Sequence, residues 1–310
     1  MEAPSETRAG ALTVIRHLLK AMRPVQWVKN VFVLAPLVFG LELGSPVSFG
    51  RALVAFAAFC FVSSAVYLLN DLMDREQDRR HPTKRHRPIA SGALPLELAK
   101  LAVGGLVLLS LGIGVALDWR VASVLGSYFL LNVAYTTVLK HVAFVDITCI
   151  ALGFLFRVLA GGLATRVDVS IWLLACTFML ASLLALGKRR HELIAVGKSG
   201  GGKDGSGSTR AVLDRYRVEH IDLAMRVLAL VTVASYTLYT LSDSTWQHFH
   251  TRSLVWSVPF VVFGLFRFNH LMGRHDDAQS PTDTMVRDPA FLVNVGLWGA
   301  FVMTVIYFGW

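Results

Sequence analysis

Oxygen-bearing side chains recur at regular spacing in residues 70–78, at the end of an apolar segment. Asn70, Asp74 and Asp78 are each four residues apart, so on a helix they share one face, which Asp71 also reaches. Mg²⁺ is usually bound by one or two carboxylates together with substrate phosphates. The spacing therefore indicates a Mg²⁺-diphosphate site with these four residues as metal ligands and catalytic groups. The alternative is an ordinary solvated helix end.

A dense cationic loop follows this acidic stretch directly. It includes Lys84 and Arg87, and the latter opens the run Arg87-Pro88-Ile89-Ala90-Ser91-Gly92. Arg can grip phosphate oxygens in a bidentate way, and Lys acts as a point charge. We therefore interpret both side chains as candidate phosphate ligands. Contact with anionic lipid headgroups explains some of this charge equally well.

Further polar groups stand at or inside other apolar segments. These candidate substrate-binding residues are Gln26, Lys29, Tyr135, Lys140, Arg157, Lys188, Arg189 and Glu192. Lys29 has a second interpretation, a lysine that extends from a span toward water. Arg157 is deeper, so it should face a partner or a cavity, and structural pairing and ligand binding both stay open.

The elements that must position these residues are membrane spans. The chain is 54% hydrophobic and only 16% charged, whereas a soluble domain has about 25% charged residues. A helix needs about 20 apolar residues to cross a bilayer. Nine segments qualify: 28–44 (interrupted by Pro36), 51–70, 100–117, 121–139, 143–164, 170–187, 222–241, 253–272 and 290–308. The sequence thus predicts an all-α, polytopic membrane protein with nine transmembrane helices.

The basic residues are distributed unevenly between the two sides of these spans. Of the 30 Lys and Arg residues, 25 fall on the side that holds the N-terminus and the long polar loops. The positive-inside rule puts that side, and with it the candidate site, in the cytosol, and it puts the C-terminus outside. This predicts a multi-pass protein of the cell (inner) membrane. The bilayer therefore accounts for the net charge of +9, and we expect no nucleic acid as a partner.

The chain divides into a short leading segment and one large domain. Residues 1–27 form a cytosolic segment in which 11–23 alternate apolar and basic faces at helical spacing, as in an interfacial helix. Residues 28–310 form the nine-span catalytic domain. Within it, residues 197–209 have the composition of a flexible linker.

The nine spans, the Asn70-Asp71-x-x-Asp74-x-x-x-Asp78 element, the Arg87–Gly92 run and the Tyr135…Lys140 element together resemble the UbiA superfamily of intramembrane prenyltransferases. The resemblance covers nearly the whole chain. It implies a UbiA-like helical bundle, a Mg²⁺ cofactor and group transfer from a diphosphate. Members ordinarily carry a second Asp-rich motif after the sixth span, but this chain reads Gly187-Lys188-Arg189-Arg190-His191-Glu192 there.

Basic residues therefore stand where acidic ones are expected. This change suits a site that binds more phosphate groups than one Mg²⁺ can neutralise. The resemblance implies phosphoribosyl diphosphate as the donor and a polyprenyl phosphate, such as decaprenyl phosphate, as the acceptor, in the synthesis of arabinan cell-wall precursors. It implies that Asp74 and Asp78 hold Mg²⁺ and that Arg87, Tyr135 and Lys140 orient phosphate oxygens. Lys188 and Arg189 would take the 5-phosphate or, with Lys29, the lipid phosphate.

Two other functions stay open. One is a conventional prenyltransferase that uses a prenyl diphosphate donor. The other is a transporter of phosphorylated metabolites or lipids, although the polar groups cluster at one membrane edge rather than midway across. The sequence also leaves open the length of the polyprenol and whether the chain forms a homo-oligomer.

Overall fold

The computed structural model describes residues 5–142, 144–198, 217–273, 284–285 and 287–309. Every regular element among these residues is helical, as the sequence predicts. We number the α-helices in chain order: α1 Ser5–Met22, α2 Ala35–Phe39, α3 Pro46–Met73, α4 Arg75–Arg80, α5 Leu96–Leu117, α6 Trp119–Thr137, α7 Val145–Thr165, α8 Ile171–Lys198, α9 Val218–Leu241, α10 Asp243–Phe249, α11 Val258–Gly273 and α12 Pro289–Phe308. Helices of the 3₁₀ type cover Pro24–Leu34, Lys84–His86, Leu139–His141 and Ser253–Ser257.

The protein is an integral membrane protein. Within the described ranges, seven helical segments are long and apolar enough to cross a bilayer: Pro46–Met73, Leu96–Leu117, Val145–Thr165, Ile171–Ile194, Val218–Leu241, Ser253–Met272 and Pro289–Phe308. The predicted first span, 28–44, differs from expectation, because it forms the 3₁₀ helix Pro24–Leu34 followed by the short α2. The predicted fourth span corresponds to α6, which is not among the seven. The total of nine spans therefore stays a prediction.

Capping residues fix where several spans begin. The Ser45 hydroxyl accepts a hydrogen bond from the backbone N–H of Ser48, and Pro46 occupies the first turn of α3. Asp288 does the same for α12 by accepting from the backbone N–H of Phe291. Such caps satisfy backbone donors that have no partner within the helix. They define where these two spans begin.

The helices form two compact units, of which the first contains the described residues up to 140 and residues 156–168. Its core centres on Phe59 and Val62 of α3, which pack with Leu125 of α6. The 3₁₀ helix passes very close to α7, because a Cβ added at Gly161 would lie 1.9 Å from the carbonyl oxygen of Val33. The absence of a side chain at Gly161 thus permits this contact.

Helix α1 lies in the same unit and contains the predicted interfacial segment 11–23. Its Leu18 packs with Leu68 and Ile89, whereas Leu12 and Leu19 are exposed. A position at the membrane surface stays a prediction for this helix. Of the predicted linker 197–209, residues 199–209 lie outside the described residues.

The second unit contains the described residues within 141–155, 169–203 and 208–310. Its core joins Leu183 of α8, Ile221 and Met225 of α9, and Phe268 of α11. Gly187 of α8 lies against Phe268, since a Cβ added there would be 3.0 Å from the end of that ring. This contact brings the basic end of α8 close to α11.

Candidate active site

The acidic stretch straddles the junction between α3 and α4. Asp74 ends α3 with φ −87° and ψ 5°, so the two helices are distinct. The backbone spacing of four nevertheless persists, because the N–H of Asp74 donates to the carbonyl of Asn70 and that of Asp78 donates to the carbonyl of Asp74. The side chains at these positions therefore follow one another along one side of the junction.

Each of the three aspartates of this stretch contacts a cation from another part of the first unit. Asp71 accepts from Arg23 Nη2 at 2.6 Å and from Arg87 Nη1 at 3.1 Å. The same Arg87 nitrogen donates to Asp78 Oδ2 at 2.7 Å. Arg87 therefore bridges two buried carboxylates, which are only 2% and 3% exposed. Because Asp71 and Asp78 share one donor atom, their oxygens lie in one small region.

Asp74 is more accessible, with a side chain that is 32% exposed. Its Oδ1 accepts from Lys140 Nζ at 3.1 Å. The amide oxygen of Asn70 accepts from the hydroxyl of Thr136. The end of α6 and the 3₁₀ turn Leu139–His141 thus supply partners for two of the four predicted metal ligands.

The donor set has the right chemistry for a hard divalent cation, since it offers carboxylate and amide oxygens. These ion pairs use one oxygen of Asp74 and one of Asp78. Among the described residues no group of three His, Cys, Asp or Glu side chains is arranged to hold a metal by itself. The carboxylate and amide oxygens of this stretch fit a cation that is also bound by a phosphate ligand.

Arg87 owes its position to a tightly folded loop. The N–H of Ser91 donates to the carbonyl of Arg87, and that of Leu94 donates to the carbonyl of Pro88, both at 2.9 Å. Gly92 has φ +80°, a left-handed conformation that glycine adopts without steric cost. Ile89 is fully buried and anchors the loop in the core under α1. The run from Arg87 to Gly92 thus aims the guanidinium at the carboxylates.

The rest of the basic loop is more open. Lys84 is exposed within the 3₁₀ turn Lys84–His86. The ring nitrogen Nδ1 of His81 accepts from the backbone N–H of Thr83 and of Lys84, at 3.3 and 3.4 Å. Partial burial and the nearby Lys84 ammonium lower the pKa of His81 below its usual 6.5. A neutral imidazole suits this acceptor role.

Arg157 has protein partners that account for its burial within α7. Its Nε donates to Asn30 Oδ1 at 2.8 Å, and its Nη2 donates to the Tyr128 hydroxyl at 3.2 Å. Its guanidinium also lies over the rings of Phe59 and Tyr128. These contacts stabilise a cation inside the span. The protein contacts are sufficient to explain why Arg157 is buried. Substrate binding by Arg157 stays a prediction.

Gln26, Lys29 and Tyr135 are half-buried in the same unit. The first two lie on the 3₁₀ helix Pro24–Leu34, and Tyr135 lies in the last turns of α6. Arg23, which precedes that 3₁₀ helix, and Thr136 are contacts of the acidic stretch that the sequence analysis missed. Their proximity to Gln26 and Tyr135 in sequence was the available signal.

The basic end of α8, in the second unit, is largely paired with acid. Arg189 Nε donates to Asp146 Oδ2 at 2.5 Å, and its Nη1 donates to Glu192 Oε2. Lys188 Nζ lies 3.8 Å from Glu192, and the Lys188 side chain is 55% exposed. A motif that appears strongly basic in sequence is therefore substantially neutralised within its own unit.

Arg190 joins three helices of that unit. Its Nε donates to Asp222 Oδ1 of α9, and its Nη1 donates to the carbonyl of Met272 in α11. The sequence analysis did not anticipate Asp222 as a partner. Nothing in the local sequence pairs it with Arg190, which lies 32 residues away.

This helical membrane fold and its carboxylate-rich helix junction have a common explanation. Residues 31–190 match the UbiA prenyltransferase family, and the chain belongs to that family. The family resemblance inferred from the motifs is thereby confirmed.

Individual relatives extend the similarity over almost the whole chain. The decaprenyl-phosphate phosphoribosyltransferase of Mycolicibacterium smegmatis is 36% identical over 324 residues, which cover 99% of this chain and 98% of that protein. The enzyme of the same name from Corynebacterium glutamicum is 33% identical over 94% of this chain and 86% of that protein. Among solved structures, a UbiA homolog from Archaeoglobus fulgidus bound to GPP and Mg²⁺ has a TM-score of 0.71 at 19% identity, covering 94% and 99% of the two chains. At 19% identity, the similarity to the A. fulgidus structure is evidence for the fold alone.

Proposed function

We propose that this protein transfers the 5-phosphoribosyl group of phosphoribosyl diphosphate to decaprenyl phosphate or a similar polyprenyl phosphate, with release of diphosphate. The observation that carries this proposal is the near full-length similarity to decaprenyl-phosphate phosphoribosyltransferases of two organisms. The product would serve the synthesis of arabinan cell-wall precursors. The charge asymmetry of the loops supports a site on the cytosolic side of the cell membrane.

Mg²⁺ is the proposed cofactor, and Asp74 and Asp78 are its proposed ligands, with Asn70 and Asp71 beside them. The oxygen donors of this stretch support the assignment, as does the Mg²⁺ in the A. fulgidus homolog of the same fold. When bound, Mg²⁺ supplies positive charge that stabilises the departing diphosphate. Arg23 neutralises the buried Asp71 and keeps that carboxylate in place.

The basic residues of the first unit orient the donor. Arg87 and Lys140 pair with Asp78 and Asp74 in the structure, so they lie next to any diphosphate that approaches these carboxylates. We assign the phosphate oxygens to Arg87, Lys140 and Tyr135, with Lys84 at the open edge of the loop. These contacts hold the donor in one orientation, which lowers the activation free energy of the transfer.

The chemical step forms one bond and breaks one. A phosphate oxygen of the lipid attacks C1 of the ribose, and the bond from C1 to the diphosphate oxygen breaks with its electron pair on the leaving group. The acceptor phosphate is already ionised near neutral pH, so no general base is needed. This agrees with a site made of cations and carboxylates.

We assign Lys188 and Arg189 of the second unit to phosphate binding. Lys188 is the more exposed of the two, whereas Arg189 already contacts Asp146 and Glu192. Binding of a phosphate to Arg189 would therefore compete with Glu192. Glu192 acts in this proposal as the group that holds the two cations between turnovers.

A competition assay tests the donor. Purified protein, Mg²⁺ and decaprenyl phosphate are mixed with equal concentrations of phosphoribosyl diphosphate and a prenyl diphosphate, each with its own label. We expect only the ribosyl label in products that contain the decaprenyl chain. Family membership favours one alternative, a conventional prenyltransferase, and transfer of the prenyl label to an aromatic acceptor offered in parallel would support that alternative.

A further inference from the structure

The segment Pro24–Leu34 is an 11-residue 3₁₀ helix, whereas 3₁₀ runs longer than three or four residues are uncommon. With three residues per turn, side chains three positions apart form straight rows along such a helix. The segment therefore presents three separate rows, and the structure gives each row a different environment.

The first row fastens the helix to α3. It contains Trp27, Asn30 and Val33, of which the last two are fully buried. Trp27 Nε1 donates to the Ser64 hydroxyl at 3.0 Å, and Asn30 Nδ2 donates to the Ser63 hydroxyl at 3.2 Å. These bonds prevent the 3₁₀ helix from rotating. The direction of the other two rows is thereby fixed.

The second row faces outward, since Val25, Val28 and Val31 are 84%, 63% and 50% exposed. The third row contains Gln26, Lys29 and Phe32, and all three are half-buried. Along this third row a neutral polar group and a cation come first and an aromatic ring follows. That order matches an amphiphile with an anionic head and an apolar chain.

The anchoring bonds also give the depth of the third row. Ser64 precedes Asp71 by seven residues on α3, which corresponds to about 10 Å along the helix axis. Lys29 lies between the two anchored residues, so it lies about this far from Asp71 toward the middle of the span. Phe32 lies one 3₁₀ turn beyond, about 6 Å further. An ionisable side chain that begins at this level of a membrane span is a candidate for function.

We propose that the row Gln26, Lys29 and Phe32 binds the lipid acceptor, with the phosphate at Lys29 and Gln26 and the first isoprene units against Phe32. This inference rests on the proposed function and deepens it, because it assigns the acceptor to one element of the first unit. Charge complementarity selects an anionic head for Lys29. The apolar end of the row selects a polyprenyl monophosphate over the soluble donor, which has no apolar part.

Steady-state kinetics with both substrates varied test this assignment. Lys29→Met keeps the stem and removes the charge, and we expect it to raise the KM for decaprenyl phosphate at least tenfold while the KM for phosphoribosyl diphosphate changes less than twofold. Phe32→Ala should raise the acceptor KM several-fold. The control Val31→Ala, on the exposed row of the same helix, should leave both values unchanged. A rise in the donor KM of Lys29→Met with no change in its acceptor KM would overturn the assignment.

Binding without turnover provides a second readout. In detergent without donor or Mg²⁺, decaprenyl phosphate should raise the unfolding temperature of the wild type and of Val31→Ala but not that of Lys29→Met. Equal shifts in all three proteins would refute the acceptor site. Failure of the proposed function is a separate result, since the wild type would then form no ribosylated lipid with both substrates present.

Discussion

Arg87 Nη1 lies 2.7 Å from Asp78 Oδ2, so a candidate phosphate ligand holds a candidate metal ligand by a charge-assisted hydrogen bond. The same nitrogen also reaches Asp71. Under the proposed function, a diphosphate bound with Mg²⁺ at Asp78 would lie beside this guanidinium.

Replacing Arg87 by Lys keeps one positive charge but removes the planar donor that bridges two carboxylates. A hydrogen bond to a charged group contributes about 1.5–3 kcal/mol, which corresponds to roughly tenfold to hundredfold in kcat/KM. We expect a loss of that size for phosphoribosyl diphosphate. Arg85→Lys, at an exposed position of the same loop, is the matched control. Equal activities of the two variants would contradict the role of Arg87.

The carboxylates themselves are tested by amide substitutions of the same shape. Asp74→Asn and Asp78→Asn should each lower kcat at least about a hundredfold, because stabilisation by a metal is worth several kcal/mol. Excess EDTA should abolish wild-type activity, and added Mg²⁺ should restore it. Glu76→Gln changes a neighbouring carboxylate that is 68% exposed and should retain activity. Full activity of the wild type in EDTA would disprove the metal requirement.

Gly161 provides a test of the fold around the 3₁₀ helix. Because its Cβ would overlap the Val33 carbonyl, Gly161→Ala should destabilise the protein by about 3 kcal/mol, at the upper end of overpacking costs. Gly105→Ala, where nothing lies within 4 Å of the added atom, should not destabilise it. Thermal unfolding in detergent measures both. Unchanged stability of Gly161→Ala would contradict the close approach of α7 to the 3₁₀ helix.

Arg190 is expected to stabilise the second unit rather than to bind substrate. Its guanidinium is buried and pairs with Asp222, so Arg190→Leu leaves a carboxylate without its partner and should cost about 3 kcal/mol. The double variant Arg190→Leu with Asp222→Leu should recover part of that loss. Urea unfolding of the wild type, Arg190→Leu, Asp222→Leu and the double variant gives the coupling energy. Strictly additive effects would show that the ion pair does not stabilise the unit.

The sequence predicted the helical membrane fold well, because long apolar segments and caps are local signals. It also identified the acidic stretch, since residues four apart stay aligned across the α3–α4 junction. The 3₁₀ geometry of Pro24–Leu34 could not be predicted from such local signals. An apolar segment of this composition can form either an α-helix or a 3₁₀ helix. The contacts of Trp27 and Asn30 with Ser64 and Ser63 join two different helices, so the sequence of the segment alone does not reveal them.

Ion pairs between distant residues were the other limit. The sequence presented Lys188, Arg189 and Arg190 as surplus positive charge, whereas the structure pairs the last two with Asp146 and Asp222. Those acids lie more than 30 residues away, and charge composition alone cannot reveal such pairs. The electrostatic argument for extra phosphate therefore depends less on α8 than its sequence indicates.

Mass spectrometry of the lipid product tests the central claim most directly. Purified protein in detergent receives Mg²⁺, phosphoribosyl diphosphate and decaprenyl phosphate, with Asp78→Asn as the inactive control. We predict a lipid whose mass exceeds that of decaprenyl phosphate by one phosphoribosyl group, together with an equal amount of diphosphate. Wild-type protein that forms no such lipid, while it transfers a prenyl group from a prenyl diphosphate under the same conditions, would contradict the proposed function.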